Sequence, residues 1–232
     1  MSAPILQTHA GIKVVRDDLH PGGTKARYIR ALFDGHQELV YASPAEGGAQ
    51  YALAHCAAEL GRRATIFVAK RATPHPRAIQ AKGLGARVMQ VAPGYLTVVQ
   101  KRAAEYCAAT GAALVPFGVN EPKAIATIRD AARALSIEPD EVWCAAGSGV
   151  LSRGLAQAFP KARRHAVQIG RTLTAEDVAG AKIHVYPAPF SRAVGCADFP
   201  ADPHYDAKAW QICKARRGAG LVLFWNVTGP AQ

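Results

Sequence analysis

Acidic residues are scarce in this chain: 17 Asp and Glu stand against 28 Lys and Arg, a formal charge of +11 over 232 residues. Handling small metabolites gives no reason for such an excess. It favours a polyanionic partner, of which nucleic acid is the commonest; a generally basic proteome or a solubility effect is the alternative. Paired cysteine motifs are also missing. The five cysteines (Cys56, Cys107, Cys144, Cys196, Cys213) are odd in number, scattered and free of CxxC spacing, which argues against structural disulfides and a zinc site. They lie in helix or strand patterns and are expected to be buried. His55 and His75 have no partner at metal-ligand spacing, so no metal is expected. The longest apolar runs, such as "LVLFW", are too short to span a bilayer. "MSAPILQTHAG" lacks a basic segment followed by a long apolar core. The expectation is a soluble cytoplasmic protein with no membrane partner.

Half of the residues are hydrophobic and 19% are charged, a globular composition. From residue 36, strand-like runs alternate with helix-like stretches. "QELVYAS" precedes "AQYALAHCAAELG", "RATIFVA" precedes "HPRAIQAKGLG", and "ARVMQVA" precedes "TVVQKRAAEYCAATG". "AALVPFG" then leads to "EPKAIATIRDAARALS", and "EVWCAA" to "GSGVLSRGLAQAF". "RHAVQIG", a short "TAEDVAG", "KIHVYPA", "YDAKAWQICKARR" and "GLVLFWNV" complete the series. This alternation predicts an α/β fold of βαβ units with parallel sheets flanked by helices. Gly61, Gly83 and Gly111 stand where helix C-caps belong.

Residues 20–33, "HPGGTKARYIRALF", open a helix with two glycines, a threonine and a lysine. Glycines before a helix allow a tight turn and leave N–H groups unpaired at its start. Lys25 falls in the first turn, where the helix dipole disfavours a cation. Either it is simply solvated, or its amine is wanted neutral for chemistry.

Three segments in order resemble the fold type II pyridoxal-phosphate enzymes, the group of tryptophan synthase β, cysteine synthase and D-cysteine desulfhydrase/aminocyclopropane-carboxylate deaminase. "PGGTKARYIRAL" is similar to "GGNKxRKLEYLL", whose lysine carries the cofactor as a Schiff base, and the resemblance implies that role for Lys25. "YASPAEGGAQYALAHCAAELGRRATIFV" is similar to "SxGNxxxAxAxAAxxxG" and the strand after it. The family's asparagine there falls on Gly47 or Gly48, whose backbone N–H groups can still bind a carboxylate. Ser43 is the nearby hydroxyl. "VWCAAGSGVLSRGLAQAFP" is similar to "VxxGxGSGGTxxGL", a strand, glycine turn and helix that cradle a phosphate. Gly147, Ser148, Gly149 and Gly154 match, Val150-Leu151 replace Gly-Thr, and Ser152 supplies a hydroxyl. The tail "LVLFWNVTGP" is similar to "LDPVYTGK", which implies that Thr228, or else Asn226, faces the pyridine nitrogen.

The resemblance implies pyridoxal 5'-phosphate as cofactor, with Lys25, Gly47, Gly48, Gly147, Ser148, Gly149, Val150, Leu151, Ser152 and Thr228 around it. Ser43, Glu46, Gly47 and Tyr95 are candidates for substrate binding, although packing in the core is the plainer reading of Tyr51 and Tyr95. The implied organisation is a larger cofactor domain, residues 1–42 and 118–232, and a smaller mobile α/β domain, 43–117. The family is commonly dimeric, so a homodimer is expected. The chain is short for the family, which with its charge points to a bulky anionic substrate. Small relatives of this kind resemble those of bacteriophage DNA hypermodification. A decarboxylase or lyase acting on an amino acid attached to a thymine base in DNA is the leading expectation, in the host cytoplasm for a phage-encoded chain. A lyase or deaminase of free amino acids and an inactive nucleic-acid-binding relative are the rivals.

Overall fold

The computed structural model describes residues 3–195 and 197–231; Cys196 lies outside them. The chain divides into two compact units, Met1–Arg27 with Asn120–Pro230, and Tyr28–Val119 with Ala231–Gln232.

The first unit opens with strands β1 (Leu6–His9) and β2 (Ile12–Arg16), an antiparallel hairpin. Helix α1 (Gly23–Leu32) follows, and the boundary between the units falls within it, after Arg27. The second unit continues with β3 (Glu38–Ala42), α2 (Ala49–Glu59), β4 (Arg63–Ala69), α3 (Pro76–Gly83), β5 (Arg87–Val91), α4 (Leu96–Thr110) and β6 (Ala113–Leu114). Its four strands form a parallel sheet in the order β5-β4-β3-β6. Every residue of β3 is buried, the pattern of a parallel strand covered on both faces. Val40, Ala42 and Phe67 pack against Val99 and Ala103 of α4.

The chain returns to the first unit with α5 (Pro122–Arg133), β7 (Glu141–Ala146), α6 (Val150–Ala158), β8 (Arg163–Gln168), β9 (Lys182–Val185), α7 (Asp206–Arg216) and β10 (Val222–Asn226). The sheet order is β1-β2-β10-β7-β8-β9, and every pairing after the first hairpin is parallel. Strands β7 and β10 are wholly buried. Trp143 and Phe224 from them meet Trp210 of α7 and Phe199 in the main core. Crossover from β7 to β8 runs through α6, so the turn before that helix lies at the carboxyl end of β7. In open α/β sheets that end is where ligands bind.

The α/β alternation is as the sequence implies, with two local differences. "TAEDVAG" forms turns rather than a helix. Gly83 sits inside the last turn of α3, and it is Gly85 that takes the left-handed conformation (φ 89°). Gly111 caps α4 as expected (φ 74°), its N–H donating to the Cys107 carbonyl. Cys56, Cys144 and Cys213 are buried, Cys107 is half-buried, and all four are free thiols.

Candidate functional site

In the first unit the start of α1 is held by the end of β10. The Thr24 N–H donates to the Val227 carbonyl at 2.9 Å. Gly22 and Gly23 have φ of 80° and 68°, a region that glycine enters at little cost. A Cβ on Gly23 would stand 2.5 Å from the Val227 oxygen and 3.1 Å from Thr228 Cβ. The glycine pair is thus a requirement of packing: it brings the first turn of α1, and with it half-buried Lys25, against the carboxyl end of the sheet.

A buried ionic group fixes that turn from below. The Asp17 carboxylate accepts from Arg27 Nε (3.0 Å) and Nη2 (2.6 Å), Thr24 Oγ1 (2.7 Å) and Trp225 Nε1 (3.2 Å). Asp18 accepts from Arg16 and, at 2.7 Å, from Asn226 Nδ2. The second hydrogen of the Asn226 amide goes to the Pro200 carbonyl. Asn226 therefore ties strand β10 to the loop after β2.

Asp206, the first residue of α7, is fully buried. Its Oδ2 accepts from the Thr228 N–H at 3.3 Å, while Oδ1 has no hydrogen-bond partner. Burial pushes its carboxyl well above the usual carboxylate range, and Asp202 adds to this. The Val227 and Thr228 N–H groups and the charge of Lys25 pull the other way. Lys25, Thr228 and Asp206 thus share one end of the sheet. Tyr205 stands beside them: its hydroxyl would lie 3.4 Å from a Cβ placed on Gly147.

At the carboxyl end of β7, Gly149 (φ 81°) is the N-cap of α6, and no acidic residue occupies the helix's first turn. A Cβ on Gly149 would meet the Asp177 carbonyl oxygen at 1.9 Å. The turn Gly147-Ser148-Gly149 and the unpaired N–H groups at the start of α6, Val150 to Ser152, form an anion cradle backed by the helix dipole. The Ser152 hydroxyl does not serve it as the sequence suggested. It donates to the Val178 carbonyl at 2.9 Å, and the residue is 3% exposed. Only the backbone N–H of Ser152 remains for a ligand.

The second unit carries the other candidates. The Ser43 hydroxyl donates to the Pro44 carbonyl (2.9 Å), and buried Glu46 accepts from Arg71 Nη1 at 3.4 Å. Gly47 donates to the Pro44 carbonyl, and a Cβ there would stand 2.6 Å from Ser43 Oγ. Gly48 is the N-cap of α2. Gln50, fully buried, locks this loop by donating Nε2 to the carbonyls of Pro44 (3.0 Å) and Ala45 (2.8 Å). The predicted Gly47 donor is therefore spent within the loop, and of the glycine pair Gly48 keeps the N–H that a ligand could take. Tyr95 is 86% exposed, so the core-packing reading fails for it.

Sequence reasoning missed Asp206, Tyr205 and Gln50. An acid in the first turn of an apolar helix, "YDAKAW", was the available signal for Asp206. Among the described residues no group of three metal-ligating side chains is assembled, and no helix is long and apolar enough to cross a membrane.

A family model described as pyridoxal-phosphate dependent enzyme matches residues 2–222. An ACC deaminase homologue is similar in structure, with a TM-score of 0.83 and 17% identity over 99% of this chain and 90% of that one. The T.th. threonine deaminase (TM-score 0.72, 18% identity) is similar over 94% and 88% of the two chains. Maize serine racemase (TM-score 0.72, 15% identity) is similar over 99% and 88%. At these identities the likeness shows the fold, that of the fold type II pyridoxal-phosphate enzymes. Comparison with curated proteins gave no match.

Proposed function

Because this chain belongs to the family of pyridoxal-phosphate dependent enzymes, we propose that Lys25 is its cofactor-binding lysine and that it acts as a lyase at Cα of an amino-acid group. The cofactor is pyridoxal 5'-phosphate. Bound, it supplies an aldehyde that captures amines and a conjugated ring that accepts the electron pair left when a bond to Cα breaks.

The first unit's polar groups match the three ends of that molecule. The Gly147–Gly149 turn and the N–H groups of Val150, Leu151 and Ser152 suit a phosphate. Lys25 Nζ suits the aldehyde carbon. The Asp206 carboxyl, with its unpartnered oxygen, suits the ring nitrogen, and Thr228 holds Asp206 in place through its N–H. A carboxyl in this role favours a protonated ring nitrogen, a stronger electron sink than a hydroxyl such as that of Thr228 would give. Lys25 Nζ would also take or return the proton at Cα of the substrate. In the second unit, taken by itself, the Gly48 N–H at the start of α2 suits an anion such as a carboxylate, the Gly47 N–H being taken by the Pro44 carbonyl.

The observation that carries this reading is the buried Asp206, whose Oδ1 has no hydrogen-bond partner, at the end of β10 against which the first turn of α1 with Lys25 is held. The test is the visible absorption spectrum of the purified protein with added pyridoxal phosphate, beside Lys25→Ala. A cofactor band in the wild type alone supports the reading; the same spectrum in both refutes it.

On substrate, we infer decarboxylation of an amino acid carried by a thymine base in DNA, supported by the charge of +11. A base so modified has to leave the duplex to react, and Lys and Arg contacts to phosphates hold the strand meanwhile. DNA binding that stays equally tight from low to high salt contradicts this. Deamination of a free amino acid is the second reading, favoured by the deaminases among the structural neighbours. Turnover of free amino acids in the absence of nucleic acid decides for it. A homodimer in the cytoplasm is proposed for either case.

A further inference from the structure

The anion cradle before α6 is bordered by a cation whose position is fixed by two hydrogen bonds. Arg171, three residues beyond β8, donates Nε–H to the Gly147 carbonyl at 3.1 Å. Its Nη2 donates to Asp177 Oδ1 at 2.6 Å. Asp177 in turn accepts from the Thr174 N–H (2.9 Å) and Thr174 Oγ1 (3.1 Å), and its backbone carbonyl is the group that leaves room only for glycine at 149. Thr174 and Arg171 hold the Asp177 carboxyl below the usual range, so it is a carboxylate at neutral pH.

Segment 171–177 therefore braces the turn on two sides. Arg171 occupies the carbonyl of the first glycine, and the Asp177 backbone underlies the last. The Arg171–Asp177 contact is single-pronged, through Nη2 alone, whereas arginine–carboxylate pairs are frequently bidentate. Nη1 has no protein partner among the described residues, and the side chain is 48% exposed. An arginine bonded to the turn itself, with one arm unengaged, suits recognition of a planar or tetrahedral oxyanion.

We infer that Arg171 is a phosphate-reading residue of this chain. Its Nη1 adds a charge-assisted donor to the backbone N–H groups of the cradle and makes the site select the phosphorylated form of the cofactor over pyridoxal. This rests on the reading of the turn before α6 as the cofactor's phosphate site.

The test is equilibrium binding of pyridoxal phosphate and of pyridoxal, with inorganic phosphate as competitor. The proteins are wild type, Arg171→Ala, Arg171→Gln, Asp177→Asn and the Arg171→Ala/Asp177→Asn double variant. Arg171→Ala is expected to weaken pyridoxal phosphate by about ten-fold, the scale of one partly exposed charge-assisted hydrogen bond, and to leave pyridoxal unchanged. Inorganic phosphate is expected to compete less well in that variant. Arg171→Gln keeps a donor for the Gly147 carbonyl without the charge; it is expected to fold normally and to show the same selective loss, and it decides the matter if Arg171→Ala does not fold. The double variant separates loss of the guanidinium from exposure of the Asp177 charge. If it regains wild-type affinity, the inference is overturned, because Asp177 repulsion then explains the loss.

Equal weakening of both cofactor forms also overturns the inference, since it marks Arg171 as a brace of the turn only. So does unchanged affinity in Arg171→Gln, with the reading of the site left standing. A wild type that takes up neither form overturns the reading of the site and the inference together.

Discussion

The carboxylate of Asp17 and the guanidinium of Arg27 form an ion pair at 2.6 Å with both side chains almost wholly out of solvent. Ten residues apart, they clamp the segment between β2 and α1, and Thr24 and Trp225 add two further donors to the same carboxylate. Lys25 lies within that clamp. Its placement thus depends on a buried ionic group.

Removing the acid from this clamp leaves a buried cation without its partner. Asp17→Ala is expected to cost about 3–5 kcal/mol, the range for breaking a buried pair from one side. Urea unfolding measures it. A loss within the range of an exposed ion pair, below about 1 kcal/mol, contradicts the clamp.

Gly23→Ala places a Cβ against the Val227 carbonyl oxygen and forces a side chain into the left-handed region. The strain is expected to cost about 1–3 kcal/mol. Because the variant has to shift the first turn of α1, cofactor uptake is expected to fall as well. Gly35→Ala serves as the control: it shares the positive φ of 77° but meets no atom within 4 Å. It is expected to lose some stability and to keep cofactor uptake.

Asp206 links stability and activity with opposite signs. Its carboxyl is held above its unfolded value, so between the two values the folded state binds the extra proton and stability falls as pH rises. Asp206→Asn removes that term. The chain without cofactor is expected to become more stable at neutral pH, while turnover drops by an order of magnitude or more. Thermal unfolding and steady-state rates on the same preparations check the two halves. A variant that is less stable and fully active contradicts the role given to Asp206.

Away from that end of the sheet, His184 is buried on β9, with its Nε2 3.0 Å from His165 Nδ1 and its Nδ1 3.4 Å from Arg216. Burial, the neighbouring His165, and the charges of Arg216 and Lys182 lower it from 6.5 to about 4. Its neutral form is therefore the folded one. The unfolded chain binds the proton first as pH falls, so stability is fully present above about 6.5 and is lost on the way down to about 4. In His184→Phe the slope of stability against pH across that window is expected to shrink. An unchanged slope sinks the assignment.

Much of the fold is legible from period and punctuation. "RATIFVA" and "EVWCAA" are the strands β4 and β7 to the residue, because continuous apolar runs between glycine or proline breaks leave little choice. The hairpin β1–β2 was not legible. Its turn is Ala10-Gly11, with φ of 49° and 75°, and alanine gives no turn signal. Of the site, the glycine turns and Lys25 stand out because their spacing is unusual for a helix start. Asp206 does not, since an acid between His204 and Lys208 reads as solvated until the fold buries it. That carbonyls take the hydroxyl hydrogens of Ser43 and Ser152 was equally illegible, since the Ser152 acceptor, Val178, is brought there only by the fold.

The central claim is that Lys25 holds the cofactor, and reduction with borohydride followed by peptide mapping tests it most directly. Wild-type protein loaded with pyridoxal phosphate is expected to carry a phosphopyridoxyl group on the peptide containing Lys25, and Lys25→Ala to carry none. A label on another lysine, or no stable label in the wild type, would contradict the account.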